Sequence, residues 1–111
     1  MQNEKELKPL KTVPREKAFY FFTSIGNYTG ESASSLVEFM DKVNRVDVKS
    51  LEFHFYRGDF ERWFSEVLQD EELSEEFRKL HKLNLSGEPL RGRLYAIVSA
   101  YIKRLKFNKS M

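Results

Sequence analysis

LEFHFYRGDFERWFSEVL, Leu51–Leu68, is the stretch on which the reading of the fold turns. It holds the only tryptophan, Trp63, one of the two histidines, His54, and four of the ten phenylalanines. Gly58-Asp59 lies in its middle. Glycine tolerates positive φ and aspartate caps helix N-termini, so this step reads as one helix ending and another beginning. After it, Phe60, Trp63, Phe64, Val67 and Leu68 recur at i, i+3, i+4, i+7 and i+8. That is an amphipathic helix with Glu61, Arg62, Ser65 and Glu66 on its wet side. Before it, two patterns compete. Val48, Leu51 and Phe55 share a helical face, while Leu51, Phe53 and Phe55 alternate as a strand would. Asp47 as a cap, together with Glu52, tips residues 48–57 to helix.

Downstream, Asp70 caps a further helix, with Glu71 and Glu72 in its first turn, where the dipole favours negative charge. Leu73, Phe77 and Leu80 form its buried stripe, and His81 and Lys82 close it. Ser86 or Glu88 opens the last helix, with Pro89 in its tolerant first turn. Leu90, Leu94, Ile97, Val98, Tyr101, Ile102 and Leu105 give it the cleanest stripe of the chain, about 18 residues long. Upstream, Ser35-x-x-Glu38 has the form of a capping box. Leu36, Val37, Phe39, Met40 and Val43 continue that helix to about Asn44 or Arg45. AFYFFT, from Ala18, is strand-like, and Ile25–Gly30 is rich in turn formers. A second extended piece from about Gly30 to Ala33 pairs with it. An isolated hairpin is marginal in water, so this ribbon must lie on helices. The expected fold is mostly α: four or five helices with a short N-terminal aromatic β-ribbon packed on them. Residues 1–17 read as a flexible tail, 18–106 as a single compact domain and 107–111 as a frayed end.

The chain has 111 residues, 41% hydrophobic and 32% charged, which marks a globular domain rather than a disordered one. It has no cysteine, which excludes a disulfide scaffold, a thiolate metal site and a cysteine nucleophile. No apolar run approaches the roughly 20 residues that span a bilayer, and the N-terminus lacks the apolar core of a signal peptide. A cytoplasmic protein without membrane contact is expected. The net charge of +2 hides an asymmetry. Residues 57–80 carry four basic and eight acidic groups, while residues 81–111 carry seven basic and one acidic. Either the acidic helix packs beside the basic one, which is the favoured account, or the basic end meets an acidic partner.

FYFFTSIGNYTG, SASSLVEFMDKV, SLEFHFYRGDFERWF and LQDEEL together resemble an uncharacterised domain family of prokaryotes, mainly archaea. The resemblance covers about residues 18–106. Its most specific piece is His-x-x-Arg-Gly-Asp-Phe-x-x-Trp, here His54, Arg57, Gly58, Asp59, Phe60 and Trp63. It implies a single compact domain and no particular chemistry.

His54, Arg57 and Asp59, beside Trp63, form the candidate functional cluster. Histidine titrates near neutrality and arginine grips carboxylate or phosphate, so the trio can serve acid–base or anion-binding chemistry. The competing and favoured account is a structural corner: Asp59 caps the second helix, Arg57 pairs with it, and His54 bonds backbone. Two histidines and no thiolate are too few for a metal site, and no cofactor is expected. The glycine spacing Gly26-x-x-x-Gly30 lacks the following lysine of a phosphate loop. Arg91, Arg93, Lys103, Arg104 and Lys106 make a candidate basic surface, split between the two ends of the last helix. Two end-clusters are a poor stripe for phosphates, so nucleic acid is the lesser expectation. The favoured function is a small non-catalytic interaction or accessory protein with a protein partner or self-association. The alternatives are a nucleic-acid-associated factor and an enzyme or anion site at His54, Arg57 and Asp59. The aromatic surplus points to an exposed patch around Phe19, Tyr20 or Tyr28.

Overall fold

Residues 10–110 are described by the computed structural model. The aromatic run forms β1, Phe19–Ser24, and turns through Ile25-Gly26 into β2, Asn27–Ala33. Gly26 takes φ +83°, the left-handed value that the tight turn needs and that a side chain disfavours. The strands pair antiparallel, Phe19 opposite Ala33 and Tyr20 opposite Ser32, with irregular register on either side of Phe22. The second strand therefore begins three residues before the expected Gly30. Alternation places Phe19 and Phe21 on the helices, both buried. Phe19 is thus part of the core, not of an exposed patch.

Five helices follow: α1 Leu36–Val43, α2 Val48–Arg57, α3 Asp59–Glu66, α4 Glu71–Leu80 and α5 Gly87–Ser110. The architecture is the expected one, a helical domain carrying a two-stranded ribbon. Three of the helix starts have a local side-chain cap. Ser35 Oγ accepts the Glu38 N–H, and Glu38 accepts the Ser34 N–H, the reciprocal pair of a capping box one residue out of register. Asp47 accepts from Lys49 N–H and Asp70 from Leu73 N–H. Residues 48–57 are helical, because a cap and the buried face of Leu51 and Phe55 agree on period 3.6. The last helix opens on Gly87, whose N–H donates to the Glu52 carboxylate of α2 at 2.6 Å, a contact between remote residues.

The core runs from Phe19 and Phe21 through Leu36, Phe39, Leu51, Phe55, Phe60, Phe64 and Phe77 to Leu90, Leu94 and Val98. Phe39 sits among Phe19, Phe21, Phe60, Trp63, Phe64 and Phe77, with ring centroids 5.1–6.4 Å apart. Two expectations for the helices change. Glu61 is buried, not on the wet side of α3, because its carboxylate takes His81 Nε2 at 2.8 Å. Ile97 and Leu105 are only partly buried, so Leu90, Leu94, Val98 and Ile102 carry the inner face of α5. Leu10 and Val13 pack on the core, the Val13 N–H donates to the Ser34 carbonyl at 2.7 Å, and the expected tail therefore lies against the body from residue 10 onward. Residues 1–9 of that tail fall outside the described residues.

Candidate functional site

Gly58 makes the corner between α2 and α3. Its φ of +77° ends α2, and its N–H closes onto the carbonyls of His54 and Phe55. Asp59 is then the first residue of α3 and caps nothing: no side chain caps this helix. The expected capping role is replaced by a different one. The Asp59 carboxylate accepts from His54 Nδ1 at 2.8 Å and from the Arg62 guanidinium, and forms an ion pair with Arg57, whose Nε lies 3.1 Å away.

His54 is buried on the inner edge of α2. Its Nε2 accepts the backbone N–H of Phe22 at 2.8 Å, across 32 residues of chain. An acceptor at Nε2 requires the proton at Nδ1, which is where Asp59 receives it. The ring is thus the neutral Nδ1–H tautomer with both nitrogens spent. Burial pushes its pKa below the usual value; the hydrogen bond and charge of Asp59 oppose this and the Arg57 charge adds to it.

Above this pair lies a cleft of about 300 Å³ between the hairpin and α2. Tyr20, Phe22, Ile25 and Phe53 line it, with His54, Arg57 and Asp59 at its polar side. The Arg57 guanidinium lies over the Phe53 ring, 4.7 Å from its centroid, and is half exposed. Ile25 and Tyr28 stand out at the hairpin, 83% and 47% exposed. The structure brings His54, Arg57 and Asp59 together and leaves Trp63 elsewhere. Trp63 is buried between Phe19 and Phe39, and its Nε1–H donates to the Lys17 carbonyl at 2.8 Å. Of the cleft's other wall, the sequence pointed to Tyr20, with Tyr28 beside it, and passed over Phe22 and Ile25. The missed signal was Ile25, a large aliphatic residue in a hairpin turn where the turn itself has no use for one.

The basic residues of α5 divide. Arg91 Nη1 donates to the carbonyls of Val43 and Val46, both at 2.8 Å, and its Nε meets Glu88. It thereby satisfies the C-terminal end of α1. Arg104 pairs with Glu72 and lies 5.0 Å over the Tyr101 ring. Arg93, Lys103 and Lys106 are exposed, the first two about 15 Å apart along the helix axis. The Tyr101 hydroxyl donates to Asp70, and burial together with that bond raises its pKa. Among the described residues, no three His, Asp or Glu side chains gather into a group able to hold a metal, and no helix is long and apolar enough to cross a membrane.

A family model described as a family of unknown function, DUF5752, matches residues 15–111. The chain belongs to that family. The DUF5752 match takes in the hairpin, the α2–α3 corner and α5, so the cleft and both basic clusters lie within the family's domain. No curated protein and no solved structure matches this DUF5752 chain.

Proposed function

We propose that this protein is a non-catalytic interaction domain whose contact site is the cleft between the hairpin and α2. The observation that supports it is the state of His54. A general base needs a free nitrogen, and both of its nitrogens are engaged by Phe22 and Asp59. The trio therefore builds the wall of a binding surface, and Arg57 is its outward-facing polar group. Exposed Ile25 and Tyr28 extend that surface with apolar area that the fold does not use. The intramolecular work of Arg91 and Arg104 favours a protein partner over a phosphate stripe on α5.

The test compares immobilised wild type with Ile25→Asp and with a double Arg93→Gln, Lys103→Gln variant. Loss of a retained protein with Ile25→Asp alone, at unchanged melting temperature, supports the reading. Retention of nucleic acid that falls steeply with salt and depends on the α5 variant refutes it in favour of a phosphate-binding surface.

A further inference from the structure

Taking the cleft as the contact site proposed above, we infer that its occupant is an acidic peptide. One aromatic or large aliphatic side chain fills the cavity, and a neighbouring carboxylate closes on the outer end of the Arg57 guanidinium.

The walls are aromatic and aliphatic, Tyr20, Phe22, Ile25 and Phe53, and about 300 Å³ admits one large side chain. The polar atoms of His54 and Asp59 are satisfied by each other, by Phe22 and by two arginines. A ligand therefore finds one polar group with spare capacity. Arg57 pairs with Asp59, its Nε 3.1 Å from the carboxylate, and its guanidinium lies over the Phe53 ring. Its two terminal amino groups make no hydrogen bond among the described residues. That is the end-on fork a carboxylate takes with two parallel hydrogen bonds. Charge selects the same sign. Arg57 and Asp59 are the oppositely charged residues that line the cleft, and Arg62, outside that lining, also pairs with Asp59, so the carboxylate is already matched by two cations. A cationic ligand meets repulsion and a neutral one leaves the fork unused.

The size of the apolar surface decides for a peptide over a small acid. Tyr28 stands beyond the cavity, its ring 5.8 Å from Tyr20 and 5.3 Å from Phe22, and the wall residue Ile25 is itself 83% exposed. A molecule that only filled the cavity would leave that rim in water. A chain passing over the hairpin covers it.

The experiment is a titration of the ¹⁵N-labelled full chain with acetyl-Phe-Glu-Glu-amide, acetyl-Phe-Gln-Gln-amide and phenylacetate, followed by amide shifts. Saturable shifts at Phe22, Gly26 and Arg57 are expected, with the acidic peptide binding at least about tenfold tighter than the neutral one. Arg57→Gln should bring the acidic peptide down to the neutral one's affinity. Its fold is secure because Asp59 keeps His54 and Arg62. Equal affinity for both peptides overturns the acid preference and leaves the cleft a binding site. No shift in the cleft with any probe overturns this inference and the functional reading together. Phenylacetate binding as tightly as the acidic peptide makes the occupant a small carboxylate. Self-association in light scattering that disappears in Ile25→Asp makes it a second copy of this chain.

Discussion

Asp59 holds two hydrogen-bond donors and a third cation at once, and one of the donors, His54 Nδ1–H, is buried. Removing the carboxylate leaves that N–H without an acceptor, which costs about 1–3 kcal/mol. Arg57 is half exposed, and its deletion leaves Asp59 two partners, so Arg57→Ala should cost below about 1 kcal/mol. Thermal unfolding should rank Asp59→Ala well below Arg57→Ala, and equal melting temperatures would refute the shared-acceptor role. His54 gives a pH signature. Its folded pKa is depressed, so the unfolded chain takes up the proton first as pH falls. Its contribution is fully present above about pH 6.5, the unfolded value, and is lost as pH drops through the lower folded one. Urea titrations between about pH 7 and pH 5 should show this loss in wild type, reduced in His54→Gln. At this scale the sequence was only partly legible. The trio was visible because three polar residues interrupt an aromatic stretch. Glu61 was misplaced because a binary pattern sends every carboxylate to water. Its burial depends on His81, 20 residues on, which is stacked on Phe55 at 4.1 Å.

Gly58 and Gly92 sit in helical surroundings with opposite backbone demands. At φ +77° a Cβ on Gly58 meets only Arg62 Nη1 at 3.7 Å, so room is not the obstacle, but the left-handed conformation costs about 1–2 kcal/mol. Gly92 lies inside α5 with nothing within 4 Å of an added Cβ. Gly58→Ala should destabilise, and Gly92→Ala should stabilise by about 0.5–1 kcal/mol, in chemical denaturation. On α5, Leu94 is fully buried and Ile97 is not. Leu94→Ala should cost about 2–5 kcal/mol and Ile97→Ala clearly less. Similar losses would mean both residues face the core. Elements were the most legible level, since a cap and period 3.6 agree locally for α1, α2 and α4, and α5 shows its period alone. One anomaly was informative: Arg91 lies in the first turns of α5, where the dipole disfavours positive charge. Its reason is the carbonyls of Val43 and Val46, nearly half the chain away, and no local rule reaches that far.

At the scale of the whole molecule, the segment before β1 is tied down by Trp63 Nε1–H on the Lys17 carbonyl and by Val13 on Ser34. A chain beginning at residue 18 loses both bonds and the packing of Leu10 and Val13; one beginning at residue 10 keeps them. The longer truncation should lower stability by about 1–3 kcal/mol more than the shorter and shift Trp63 emission to the red. Identical stability and emission would show that residues 10–17 contribute nothing. The ribbon's size has its own cause. An antiparallel pair ordinarily invites a third strand along its outer row of N–H groups, whether from the same chain or from a stranger. Here the Phe22 N–H that such a strand would bond to is taken by an imidazole. The ring closes the β1 edge at this position, and a single side chain stands where a backbone would otherwise add. Replacing it by alanine therefore reopens a growth point, and the damage should appear as thioflavin-positive fibrils on standing as well as in a lowered melting temperature.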